Sequence, residues 1–277
     1  MTAKKYVIYL ALVVSAFVTA SATAQQAAPA PQADLDYQVG GVLYMQKAAE
    51  YRALTYQAFN AARMQLDADL NRKSLKKLPK AERKMSRAIV VDIDETMLDN
   101  SPAQARGIRT NTPYNSPDWF AWSKLERAKA VPGAVEFVNY AISKGVKVFY
   151  ISNRDEKVEG QATLSNMTKV GFTGVSPETL MLKTTESGKA TRRGLVSAKY
   201  RIVLLVGDNL DDFSEVFEKK PVAQRFTETD LTKDQWGRKF IILPNAMYGT
   251  WENAIYEYQR LTEEQKAEKR AAALELP

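Results

Sequence analysis

Apolar residues fall along this chain in two rhythms. Runs at 89–91, 146–151 and 202–206 are dominated by β-branched and aliphatic side chains with little polar alternation. Each is too short for a helix and reads as a strand buried on both faces, the habit of a parallel sheet covered by helices. Shorter runs at 180–182 and 240–243 supply two more strands. Between strands, 132–144 and 157–170 read as the crossover helices that parallel neighbours require. The second rhythm is helical and occupies 37–73. There Leu43, Ala48, Tyr51, Leu54, Ala58, Phe59, Ala62, Leu66 and Leu70 form one apolar face for packing on a core. A polar helix is expected over 263–274. The pattern predicts an α/β fold built on a five-stranded parallel sheet, with extra N-terminal helices.

Three stretches fall outside that pattern. Residues 95–130 are too many for a tight turn and carry Tyr114, Trp119, Phe120 and Trp122, so they are expected to fold as a small cap over one sheet edge. Residues 1–24 read as an export signal. Lys4 and Lys5 precede an apolar stretch, 6–18, that is too short to span a membrane comfortably, and Ala22-Thr23-Ala24 is a small-residue cleavage site. The Ala/Pro/Gln-rich residues 25–36 read as a disordered linker. The expected organisation is thus a signal over 1–24, that linker, a helical segment over 37–80, one α/β domain over 85–246, and a helical tail over 247–277.

Chemistry gathers where the strands end. The run at 89–91 leads into Asp92 and Asp94, one residue apart. Parallel sheets bind ligands beyond the carboxyl ends of their strands. Two acids there repel each other unless a cation or a proton lies between them. Mg²⁺ suits that place, being a hard cation that prefers carboxylate oxygens. A carboxylate so placed could also attack phosphorus. A second Asp-x-Asp, Asp34-Leu35-Asp36, has no strand before it and reads as a solvated helix start. The run at 146–151 leads into Ser152-Asn153-Arg154, whose hydroxyl, amide and guanidinium groups can all donate to a phosphoryl group. The run at 202–206 leads into Gly207-Asp208-Asn209-Leu210-Asp211-Asp212. Gly207 permits a close turn, Asp208 projects from the edge as Asp92 does, and Asp212 lies one helical turn on. Asp211 is assigned to the helix N-terminus, where an acid is favoured. Between these strands lies Lys189, in Glu186-Ser187-Gly188-Lys189-Ala190-Thr191. That segment is not a P-loop, since it lacks the upstream glycine and has Ala190 at the hydroxyl position.

Together these strings resemble the haloacid dehalogenase superfamily. The fuller strings Asp-Ile-Asp-Glu-Thr-Met-Leu-Asp-Asn-Ser-Pro, Tyr150-Ile151-Ser152-Asn153-Arg154 and Val206-Gly207-Asp208-Asn209-Leu210-Asp211-Asp212-Phe213 are similar to the secreted class C acid phosphatases. Leu243-Pro244-Asn245 with Tyr248-Gly249, and Glu50-Tyr51-Arg52-Ala53-Leu54, extend the likeness over nearly all of the chain beyond the leader. The resemblance implies strand order 3-2-1-4-5 with the Asp92 strand central. It implies that Asp92 is the nucleophile and Asp94 the general acid, whose backbone carbonyl also touches the metal. Ser152 would bond the phosphoryl group, and Lys189, with Lys183 as the alternative, would bridge nucleophile and phosphate. Asp208 would ligate Mg²⁺ and Asp212 support its shell. Asn153 and Arg154 are further candidates for substrate binding. Trp119 and Tyr248 match aromatics of the family and could sandwich a nucleobase, because its best-known members are outer-membrane lipoproteins acting on 5′-nucleotides.

Composition modifies this picture. The chain contains no cysteine, so it lacks the lipidation site of those lipoproteins and is expected in the periplasm or medium without a membrane anchor. The net charge of +7 would attract anionic substrates, and no motif for a nucleic-acid polymer accompanies it. The partner implied is a small phosphomonoester; a homo-oligomer is left open. The alternatives are a phosphotransferase of the same fold and, in a different class, a periplasmic ligand-binding or scaffold protein. The absence of histidine and cysteine weakens a haem reading of the latter.

Overall fold

The computed structural model describes residues 35–71, 76 and 78–277. The expected leader, its cleavage site, the linker up to residue 34 and part of the basic stretch after Asn71 lie outside the described residues. Among the described residues no helix is long and apolar enough to cross a membrane.

A five-stranded parallel sheet organises the domain. Its strands are β1 (Arg87–Val91), β4 (Lys147–Asp155), β5 (Leu180–Lys183), β6 (Arg201–Gly207) and β7 (Phe240–Ile242), in spatial order β5-β4-β1-β6-β7. Counting only these strands, the order is the expected 3-2-1-4-5 with β1 central. The chain leaves β1 on one side to build β4 and β5, then returns to its other side as β6. That reversal places a topological switch point at the carboxyl end of β1.

The apolar runs are continuous because both faces are covered. Ile89 and Val91 of β1 join Val148, Tyr150, Leu204 and Val206 on one face, under Phe59, Leu66, Phe137 and Val138. Ala88 and Val90 join Phe149, Ile151 and Leu205 on the other, under Val196 and Phe213. The covering helices include α2 (Ala49–Leu70), α6 (Ala134–Ser143), α7 (Glu156–Lys169) and α8 (Ala190–Ser197).

The 95–130 segment forms two helices, α4 (Ser101–Thr110) and α5 (Ser116–Lys124). Its base is closed by a short antiparallel pair, β2 (Leu98–Asp99) with β3 (Lys129–Ala130). Asn166 of α7 pins the base as well, donating to Ala128 O and accepting from Ala128 N.

Two elements differ from the sequence expectation. The single helical stretch over 37–73 is two helices, α1 (Val39–Lys47) and α2, separated by Ala48 in an extended conformation at ψ 127°. Neither glycine nor proline marks the break. Its cause is tertiary: α1 packs with Met247 and α4, whereas α2 packs with α6 and the sheet, and one straight helix could not serve both. β4 also runs past the expected end at 151 through Ser152-Asn153-Arg154 to Asp155, with a register shift after Ile151, so these polar residues form an irregular strand end.

Candidate active site

The carboxyl ends of β1 and β6 bring three acids together. Ligand oxygens of Asp92, Asp208 and Asp212 all lie within 4.8 Å of one another. Gly207 makes this possible: a Cβ on it would fall 2.4 Å from Asp212 Oδ2. The Asp212 side chain folds back over the glycine, where it accepts from Asn209 N at 3.0 Å. Asp208 is held at both oxygens, by Thr96 Oγ1 at 3.0 Å and Asn245 Nδ2 at 2.9 Å. Arg193 braces the loop through Asp211 O and Asp212 O.

Lys189 is the buried counter-charge. Its ammonium group contacts the Asp92 carboxylate and reaches Asp212 Oδ1 at 2.5 Å. Burial alone would lower its pKa, but Asp212 and Asp92 reverse that and hold it charged. Among the described residues Lys183 makes no such contact. One lysine does not balance three acids. Burial, followed by repulsion from Asp212, pushes Asp208 up to about 7. Burial raises Asp92 well above the usual carboxylate range despite Lys189, with Asp212, Asp208 and Asp94 adding repulsion. An all-oxygen cluster carrying excess negative charge fits a hard divalent cation, which would relieve both effects.

Asp94 points elsewhere. Its Oδ1 accepts from Arg154 Nε at 2.9 Å and Asn100 Nδ2 at 2.9 Å, and its Oδ2 accepts from Ser152 Oγ at 3.1 Å. The carboxylate is therefore not in the acid cluster. Arg154 differs most from its expected part. It is buried, and Asp94, Thr163 and Asn100 engage four of its five N–H groups, so its main part in this structure is to hold the carboxylate. Asn153 is exposed, with Oδ1 accepting from Arg192 at 2.7 Å. Arg192 in turn grips Ser152 O and the carbonyls of Ser187 and Gly188, which fixes the loop carrying Lys189.

The two aromatic candidates lie in different surroundings. Trp119, on α5, sits 6.2 Å from the Tyr114 ring and 5.6 Å from the Arg154 guanidinium. Tyr248 is partly buried against the Val42, Met45, Tyr51 and Met247 cluster. No ring contact pairs Trp119 with Tyr248 among the described residues. Asp211, expected at a helix N-terminus, lies in the 3-10 turn Leu210–Asp212 and pairs with Arg225 at 3.3 Å. Sequence reasoning assigned no part in the site to Thr96, Asn100, Asn245 or Arg192. The first three lie inside the strings that carried the family resemblance, which was the available signal.

Comparison with known proteins agrees with this geometry. Residues 3–251 match the family described as haloacid dehalogenase superfamily, subfamily IIIB (acid phosphatase). The chain is similar to the class C acid phosphatase of Bacillus anthracis, at 40% identity and a TM-score of 0.80, covering 87% of this chain and 98% of that one. A second structure of that Bacillus anthracis enzyme, with tungstate bound, matches at 39% identity and a TM-score of 0.80, over 87% of this chain and 98% of that one.

Proposed function

The chain belongs to the acid phosphatase family, subfamily IIIB of the haloacid dehalogenase superfamily, whose reaction is phosphomonoester hydrolysis, and from that premise we propose a mechanism, a cofactor and a substrate class. The observation that carries the proposal is the arrangement of Lys189 between Asp92 and Asp212, beside Asp208 and at the switch point of the sheet.

Asp92 attacks phosphorus. The P–O bond to the leaving group breaks as the Asp92–phosphorus bond forms, and Asp94 gives its proton to the departing oxygen. Water then attacks the aspartyl phosphate, loses a proton to Asp94, and releases phosphate with Asp92 restored. Lys189 stabilises the charge gathered on the phosphoryl oxygens, and Ser152 bonds one of them. Asp92, Asp208, Asp212 and the Asp94 carbonyl would hold Mg²⁺, which supplies further charge neutralisation when bound. That a relative binds tungstate, an oxyanion, is in keeping with a phosphate site here.

The substrate class is 5′-nucleotides, with Trp119 and Tyr248 as contacts for the base. The leader at 1–24 would send the protein out of the cytoplasm, the mature chain beginning at Gln25. Turnover of p-nitrophenyl phosphate that EDTA abolishes and Mg²⁺ restores is the expected result, and the Asp92→Asn variant should retain less than about one per cent of it. Turnover unaffected by Asp92→Asn would refute the nucleophile. Trp119→Ala should lower kcat/KM for a 5′-nucleoside monophosphate about tenfold, since one stacked base is worth roughly 1–3 kcal/mol, and lower it much less for glycerol phosphate. Equal losses on both would remove Trp119 from base recognition.

A further inference from the structure

Asp94 has to gain and lose one proton in each turnover, so the surroundings of its two oxygens decide where that proton sits. Oδ1 faces donors only: Asn100 Nδ2 at 2.9 Å, Arg154 Nε at 2.9 Å and the second Arg154 nitrogen at 2.8 Å. A proton on Oδ1 would meet N–H groups that can accept nothing. Among the described residues Oδ2 meets only Ser152 Oγ, at 3.1 Å, and a hydroxyl can donate to a carboxylate or accept from a carboxylic acid. Both protonation states are therefore satisfied at Oδ2 and neither is at a protonated Oδ1.

The donors at Oδ1 are themselves fixed. Asn100 has no exposed surface. Its backbone N–H donates to Glu95 Oε1 at 2.7 Å, and its Oδ1 accepts from Trp122 Nε1 at 2.9 Å and Arg154 at 3.3 Å. Arg154 is braced by Thr163 Oγ1 at 3.1 Å. Trp122 lies on the cap helix α5, which also carries Trp119 over the Arg154 guanidinium. The cap thus touches the acid by two routes, each through one residue.

We propose that Asn100 and Arg154 are positioning residues that orient the Asp94 carboxyl group so that Oδ2 exchanges the proton, and that Trp122 ties this orientation to the seating of the cap. The inference rests on the reading of Asp94 as general acid given above. A displaced acid harms only those substrates whose leaving oxygen needs a proton. Alkoxide leaving groups need one; 2,4-dinitrophenolate does not. The test is kcat/KM, which ends at phosphoryl transfer to Asp92, measured for glycerol phosphate and for 2,4-dinitrophenyl phosphate. Asn100→Ala should lose at least about tenfold more on glycerol phosphate than on the activated ester, a part of the roughly 10²–10⁴-fold that a general acid contributes. Trp122→Phe, which deletes the indole N–H and keeps an aromatic ring, should show the same bias to a smaller degree. Asp94→Asn supplies the reference pattern. If Asn100→Ala does not fold by circular dichroism, Trp122→Phe and Arg154→Lys decide the matter. Equal losses on the two esters in the folded variants, with Asp94→Asn biased, would overturn the positioning role alone. A wild type that hydrolyses neither ester, or an Asp94→Asn variant without bias, would overturn the reading beneath it.

Discussion

Asp208 is the residue at which the fold and a cation compete with a proton. Its two oxygens accept from Thr96 and Asn245, yet burial and the neighbouring Asp212 still push it up to about 7 in the absence of a metal. Metal ions bind the carboxylate form, so binding must expel whatever proton is present. The sign follows directly. Below about pH 7 Mg²⁺ has to displace that proton, which by itself weakens affinity by up to about tenfold for each pH unit; above it, this contribution levels off. Calorimetric titration of Mg²⁺ between about pH 5.5 and 8, in buffers of different ionisation heat, should show affinity rising with pH and protons released on binding. Asp208→Asn should weaken Mg²⁺ binding and flatten this dependence. An affinity that stays constant across the range in the wild type would exclude Asp208 from the metal shell.

At the scale of elements, the site depends on how closely α1 approaches the loop after β7. Gly41 sits against backbone there, and a Cβ on it would fall 2.3 Å from Ala246 O. The adjoining Asn245 holds Asp208, so the packing of α1 bears on the acid cluster. Gly40, next in the same helix, has nothing within 4 Å of where its Cβ would lie. Helix propensity alone predicts that alanine at either site stabilises by roughly 0.5–1 kcal/mol. Contact reverses the sign at one of them. Gly41→Ala should destabilise by about 1–3 kcal/mol and weaken Mg²⁺ binding, whereas Gly40→Ala should leave the melting temperature equal or raised. Thermal unfolding of the pair checks this, and matching shifts would show that the loop yields. Neither effect was legible in the sequence, where Gly40-Gly41 only dilutes a helical pattern. The strand order and the strand-end acids were legible, because a doubly buried strand needs an unbroken apolar run and Asp92 and Asp208 end two such runs. The break at Ala48 and the inward turn of Arg154 were not. Both are decided by partners far away in sequence, Met247 for the α1 side of the break and Asp94 with Asn100 for the arginine.

At the scale of the whole described domain, an ion cluster at the amino ends of the strands, opposite the site, ties α2 to the sheet. Asp69, in the last turn of α2, accepts from Arg87 Nε at 2.6 Å and from both terminal nitrogens of Arg201 at 2.7 Å. Arg87 opens β1 and Arg201 opens β6, so one carboxylate joins the helical segment to the two strands that carry Asp92 and Asp208. Burial works against this carboxylate, but Arg201 and Arg87 outweigh it and hold its pKa below the ordinary value. A depressed native pKa means that the folded chain binds fewer protons than the unfolded one in the window between the two values. The contribution is therefore fully present above the unfolded value, about 4, and is lost as pH falls through the native one. Asp69→Asn removes the charge and leaves two half-buried guanidinium groups short of a partner, at a cost of roughly 1–3 kcal/mol. Its melting temperature should fall by several degrees at neutral pH, since about 1 kcal/mol moves a chain of this size by about 2–4 °C. The deficit should hold steady down to about pH 5 and shrink below about pH 4, as the wild type loses the same charge. A deficit that grows on acidification, or that is absent at pH 7, would show that the strands and α2 are held together by their apolar faces without help from Asp69.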